Sequence, residues 1–347
     1  MLRSDLLVLA LAVACPLTVA TVSGGRAEPA ADALATTAVA FVAHLDDAQR
    51  DKACFAFDDA ERRNWQFVPG RYPGIELGML DAEGRRLAHR MLAAALSRAG
   101  YLEATSIMRL EQVLRDMARA RGADAAHRDP ERYSFAVFGT PGDGAWGFRV
   151  QGHHLSANWT VLPDGLVTVT PRFLGANPHE VREGPFAGLR VLGAYEDTAR
   201  DVVAGLTDTQ RAAMMLADEA PADILVGPGR SADLLGAPRG VPATTMAPAA
   251  RAALERLLAL AIDAATPDVA AQVQRRMNLD TAFFGWMGST APGEPHYFRV
   301  HAPGFALEYD NTQDGANHSH IVLHDLRHGF GDDLLQRHLT DDHGKGR

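Results

Sequence analysis

Polar and apolar positions along this chain follow two rhythms, and the rhythms come in the same order twice. Helical spacing comes first. Asp46-x-x-Gln49 and Thr207-x-x-Gln210 have the form of capping boxes, in which the first side chain and the fourth satisfy each other's free N–H groups. Asp81 precedes an apolar-periodic stretch from Ala82 to Ala99 that Gly100 should stop, Leu102 to Ala120 is a further helix ending at Gly122, and Thr266-Pro267 opens one that runs to Met277. Period-two alternation then predicts strands at Tyr133 to Phe138, Gly147 to Gln151, His153 to Leu162 and Val167 to Leu174. It predicts them again at Ala282 to Met287, Tyr297 to His301, Phe305 to Asn311 and His318 to His324. Helices followed by consecutive short-linked strands imply an α+β fold with antiparallel sheets, not the alternating βαβ of a nucleotide-binding fold.

The two passes are related residue by residue. Phe148-Arg149-Val150 recurs as Phe298-Arg299-Val300 and Asp164-Gly165 as Asp314-Gly315, both at an offset of 150, while the first capping-box segment recurs at an offset of 161. The expectation is a tandem duplication, with a first unit at residues 28–190 and a second at 191–347 forming one compact domain. Two such sheets would join edge to edge about a pseudo-twofold, helices outside.

Length and composition fit this picture. The chain has 347 residues, 47% of them hydrophobic and 22% charged, enough for a sizeable core without staples. A formal net charge of −9 makes nucleic acid a poor partner. Arg3 followed by the apolar run Leu6 to Ala20 has the form of a secretory signal peptide, with cleavage expected near Ala27 and an exported, periplasmic or secreted product. Beyond it, no long uncharged apolar stretch predicts a membrane span. Cys54 is then the one cysteine of the mature chain, so no intrachain disulfide is expected.

The candidate chemistry lies on the strands. Alternation puts His318 and His320 on one strand face, about 6–7 Å apart along the chain, which suits two imidazoles converging on one ion. The preceding strand carries Glu308 and Asp310, followed by Asn311 and Gln313. If Gln313-Asp314-Gly315 forms a three-residue hairpin loop, Asp310 faces His318 and Glu308 faces His320, giving two carboxylate–histidine pairs with the acids in catalytic roles. In the first unit Thr168 and Thr170 stand where the second has the histidines, and Asn158 and Thr160 where it has the acids, so the pairs belong to one copy only. Conversely, the first unit has His153-His154-Leu155-Ser156-Ala157-Asn158, whose alternation puts His154, Ser156 and Asn158 on one face. His154 is expected to supply a third ligand, with His153, Ser156, Asn158, His296, Asn311 and Gln313 lining the pocket.

Several of these strings together are similar to one family. Trp286-Met287-Gly288, Glu294-Pro295-His296-Tyr297-Phe298-Arg299, Glu308-Tyr309-Asp310-Asn311-Thr312-Gln313, Ala316-Asn317-His318-Ser319-His320 and Gly152-His153-His154-Leu155-Ser156 resemble the signature of the domain of unknown function 3500 family, over about residues 36 to 338. The resemblance implies bacterial proteins that are commonly exported, and it brings no known reaction. There is no Gly-x-Ser-x-Gly elbow, Walker loop or His-Glu-x-x-His helix. Two functions follow from the residues: a metal-dependent enzyme, foremost a hydrolase holding Zn, Mn, Fe or Cu and acting on a small molecule, or a non-catalytic exported protein that binds a small polar ligand or a metal. The oligomeric state is not specified by the sequence.

Overall fold

The computed structural model describes residues 30–331, so the expected signal peptide at residues 1–27 lies outside the described residues. The described chain is α+β. Its helices are α1 (Ala30–His44), α2 (Asp47–Ala53), α3 (Ala82–Ala95), α4 (Arg98–Ala120), α5 (Gly193–Ala204), α6 (Asp208–Met214), α7 (Pro248–Ile262) and α8 (Pro267–Arg276). The first-half strands are β1 (Cys54–Phe55), β2 (Ile75–Glu76), β3 (Ser134–Thr140), β4 (Asp143–Gly152), β5 (Leu155–Val161), β6 (Val167–Thr168) and β7 (Arg172–Ala176). The second half adds β8 (Met215–Ala217), β9 (Val241–Pro242), β10 (Phe283–Gly288), β11 (His296–Ala302), β12 (Phe305–Gln313) and β13 (His318–Asp325).

All thirteen strands belong to one sheet, ten of them in the order β1-β3-β4-β5-β7-β13-β12-β11-β10-β8, with β2 pairing beside β3, β6 beside β5 and β9 beside β10. The halves therefore join where β7 pairs antiparallel with β13. The end strands β1 and β8 pair parallel with β3 and β10, so the sheet is mixed and not wholly antiparallel as expected. One sheet face is apolar. Phe148, Val150, Leu155, Trp159, Leu174, Phe298, Val300, Leu307, Ile321 and Leu323 form the core there with the buried stripes of the helices, such as Leu87, Met91, Leu254 and Leu257. The opposite face is covered by two loops instead. Trp65 and Phe67 from one loop and Ile224 from the other pack with Phe173 and Val322 in a smaller apolar cluster, and the site lies beside it.

Both capping boxes form, with Asp46 accepting from Gln49 N–H and Thr207 from Gln210 N–H. Four local expectations are corrected. The first is the helix stop at Gly100. Ser97 caps α4 instead, and Gly100 lies inside that helix, where an added Cβ would come 2.2 Å from Ala264 O. This glycine permits a close approach of two segments, and the serine carries the boundary. The second is the single strand Val167 to Leu174, which is split in two because Pro171 has no N–H to give a ladder. The third is that His153 and His154 form the two-residue turn between β4 and β5, outside both strands, with His154 at φ 63°.

The fourth is the hairpin register. Asp310 pairs with His320 and Glu308 with Val322, two residues from the expected pairing, because the turn is longer and a bulge lies between Asp310 and Gln313. A shift of two preserves which side chains share a face, so Asp310 still meets a histidine while Glu308 moves one step away.

Candidate metal centre

The centre forms where the halves meet, and three segments position its imidazoles. His318 and His320 project from one face of β13. His154 reaches them from the β4–β5 turn because its backbone is held on both sides: its N–H donates to Phe67 O at 2.8 Å, and its carbonyl accepts from Gly175 N–H at 2.7 Å. Gly175 is the β7 partner of His320, and an added Cβ there would lie 2.8 Å from the His154 ring carbons Cγ and Cδ2. The imidazole thus lies against bare glycine backbone. Left-handed φ is uncommon outside glycine and is tolerated here because these contacts fix the turn.

His154 Nε2 is 2.8 Å from His318 Nε2, and His318 Nε2 is 3.0 Å from His320 Nε2. The Nδ1 atoms of the two β13 histidines face outward to carboxylates. His320 Nδ1–H donates to Asp223 at 2.9 Å, with Asp310 Oδ2 at 3.2 Å from the same nitrogen but without hydrogen-bond geometry. His318 Nδ1–H donates to Asp314 at 3.2 Å, and Asn177 Nδ2 donates to the same carboxylate at 3.1 Å. Carboxylates only accept, so these contacts fix the tautomers and turn the Nε2 atoms inward.

That arrangement leaves His318 Nε2, with one lone pair, facing two other ring nitrogens. Burial and the charge of His320 lower His318 to about 4, and burial with the neighbouring imidazoles holds His154 well below its usual value. Burial opposes the charged form of His320 as well, yet its hydrogen bond to Asp223 and the Asp310 carboxylate outweigh it and raise the group to about 9. Burial raises Asp310; Asp223 is pushed up by its partial burial but held low overall by His320. A divalent cation accepts all three lone pairs at once, and tetrahedral coordination by nitrogen at about 2.0–2.1 Å asks for only a few tenths of an ångström of spreading. His154, His318 and His320 could therefore hold a metal ion, and Asp223, Asp310 and His320 are a second group of ligand type that shares one imidazole. The Phe67 and Phe173 rings, 5.4 and 5.2 Å from the His320 ring, keep the inner side apolar.

The other expected residues are placed as follows. Glu308 is fully buried and accepts from Leu225 N–H (2.8 Å), Val226 N–H (3.1 Å) and Tyr297 O–H (2.8 Å), so it anchors the loop that carries Asp223. His153 stacks on His154 with ring centroids 3.7 Å apart and donates from Nδ1 to Glu111. Ser156 donates to Gln151, its direct partner across the β4–β5 ladder, at 3.4 Å, and Asn158 donates to Pro171 O at 2.8 Å. Gln313 opposes His318 and donates to Ala222 O at 3.5 Å. His296 is not brought to the imidazoles: it stacks on Trp286 at 4.7 Å, donates from Nδ1 to Glu294 O, and has its N–H bound by Asn311.

Asp223, Glu111, Arg128, Asp314 and Asn177 are site residues that sequence reasoning missed. Asp223 lies in residues 218–231, which connect β8 to a 3-10 turn at Ala232, where the first half has only residues 56–59 between β1 and the turn at Ala60. A longer connection in the half that bears His318 and His320 is the signal that could have found it. The helix-lined concavity of about 370 Å³ at Gly100, Glu103, Tyr195 and Leu260 contains none of these imidazoles.

Fold and site together define an α+β protein with a buried imidazole–carboxylate cluster able to hold a metal ion. The chain belongs to the family described as protein of unknown function, DUF3500, whose model matches residues 27–332. No curated protein and no solved structure matches it. Among the described residues, no helix is long and apolar enough to cross a membrane.

Proposed function

We propose that this is an exported, metal-dependent hydrolase acting on a small molecule, with His154, His318 and His320 as ligands for Zn, Mn, Fe or Cu. One observation carries the reading. Three Nε2 atoms converge, two of them 2.8 and 3.0 Å from a third that has a single lone pair, while the outward nitrogens of two of these rings are bound by carboxylates. Three imidazoles leave a position open in a four-coordinate site, and a metal bound there supplies a water acidic enough to attack at neutral pH. Asp223, partly exposed beside the buried Asp310, would take up a proton, and the Asp310 carboxylate 3.2 Å from His320 Nδ1 adds negative charge that favours the proton on that nitrogen.

A duplicated origin accounts for the asymmetry of the site. The offset of 150 exchanges the junction pairs Arg172↔Leu323 and Phe173↔Val322, as a twofold axis between them requires. Each half also runs through the same strand order outward from that junction. At the positions related to His320 and Asp310, Thr170 accepts from Phe330 N–H through its backbone carbonyl and Thr160 faces Arg62, so that half of the duplicated plan is filled by protein.

The test is hydrolysis of a panel of aryl esters, phosphate esters and amides by untagged protein reconstituted with each metal. Activity that a chelator abolishes and metal restores is expected. Metal bound stoichiometrically without turnover on any class would contradict the hydrolase and leave a binding protein.

A further inference from the structure

We propose that Arg128 is the recognition site for an oxyanion on the substrate, a carboxylate or phosphoryl group, bound beside the three imidazoles; this rests on the metal-dependent reading above. Arg128 lies in the segment between α4 and β3, and its side chain is 18% exposed. A guanidinium carries five N–H donors, and those of Arg128 without a protein partner are not sealed from water, so a ligand arriving from solvent can reach them. Among the described residues its one charged partner is Glu111, whose Oε1 lies 3.6 Å from Nη1; His153 Nδ1 is 2.9 Å from the same Nη1 but is itself a donor, so that contact is not a hydrogen bond. Because His153 Nδ1 donates to Glu111, that carboxylate serves both groups, and it sits on the rigid helix α4. The Nη2 and Nε donors are left over, and they form the two-donor edge that matches a carboxylate or phosphate.

The location supplies the second half of the argument. His153 stacks on His154, a metal ligand in the proposed centre, so Arg128 stands one aromatic layer from the imidazole cluster, and its charge reaches His154. Three neutral imidazoles leave the full charge of a divalent ion uncompensated by its ligands. A substrate that carries an anionic group beside its scissile bond would meet the metal at one end and the Arg128 fork at the other, and a neutral analogue would lose the second contact. Glu111 fixes the direction of the fork and, by sharing its charge with His153, leaves Arg128 only partly neutralised.

Calorimetric titration of the full chain with acetate and with methyl phosphate tests this, on wild type, Arg128→Gln and Arg128→Lys, each reconstituted with zinc and assayed for metal per chain and circular dichroism. Wild type should bind at least one anion, Arg128→Gln should bind it at least tenfold more weakly with metal unchanged, and Arg128→Lys should fall between because it keeps the charge without the fork. Which of the two anions binds distinguishes a carboxylate from a phosphoryl substrate. Equal affinity in wild type and Arg128→Gln, or no anion binding by wild type, overturns the proposal while the metal centre stands. Loss of metal in both variants overturns it too, since Arg128 would then only brace His153 and His154. If wild type itself retains no metal, the metal-centre reading fails separately, and the same titrations on the metal-free chain still decide whether Arg128 binds the anion.

Discussion

Every Nε2 in the cluster is aimed by something that is not itself a ligand. Gly175 is the clearest case: an added Cβ would fall 2.8 Å from the His154 ring, whose backbone is held by Phe67 O and Gly175 N–H and whose ring is stacked on His153, so it cannot simply swing away. Gly175→Ala should therefore weaken zinc retention at least tenfold without altering any ligand, measured by competition with a chromogenic chelator. Wild-type retention in that variant would mean that His154 is not held as described. Protonation gives a second expectation. His318, at about 4, is already neutral near pH 7, whereas His320, raised to about 9, must surrender a proton to bind metal. A folded-state value that high means the competing proton is bound throughout the range below it, so zinc affinity should rise roughly tenfold per pH unit from about pH 6 toward 9. A flat affinity over that range would contradict the assignment of His320. Strand parity alone brings His318, His320 and Asp310 together, which is why these were readable from the sequence; His154 was singled out because the aligned position in the second half is Gly304. Asp223 and Arg128 lie in irregular segments with no period, so nothing in their spacing signalled them.

At the scale of elements, the alternation located the strands and the caps located the helix starts, but contacts between elements were less visible. Gly100 reads as a stop in one dimension and is a close contact of α4 with the α7–α8 connection in three. The β12–β13 register depended on the turn at 314–317 and on a bulge, neither of which alternation encodes. The loop carrying Asp223 is tied to the sheet through Glu308, which accepts from Leu225 and Val226 N–H. Replacing Glu308 with Gln presents an amide donor toward groups that also donate, so it should cost about 1–3 kcal/mol and raise hydrogen exchange across residues 221–229. Unchanged exchange there would remove Glu308 from its anchoring role.

For the molecule as a whole, the continuous sheet makes the halves one folding unit. The helix-side core is contiguous across the β7–β13 junction, so calorimetry should show one cooperative unfolding transition, and two separable transitions would contradict a shared core. The two passes of helices and strands, the edge-to-edge joining of the sheets and the meeting of His154 with His318 and His320 were expected from the sequence, whereas the choice of β7 and β13 as the joining strands was not encoded in either half's pattern. The central claim is that one metal ion is held by imidazoles from both halves, and the direct measurement is bound metal per chain. Untagged wild type, His154→Ala and His320→Ala are reconstituted in parallel with zinc, manganese, iron and copper, dialysed, and analysed by mass spectrometry alongside circular dichroism. The account predicts about one metal per wild-type chain and its loss in both variants with the fold retained. Equal metal in wild type and His154→Ala, or none in wild type with any of the four ions, would contradict it.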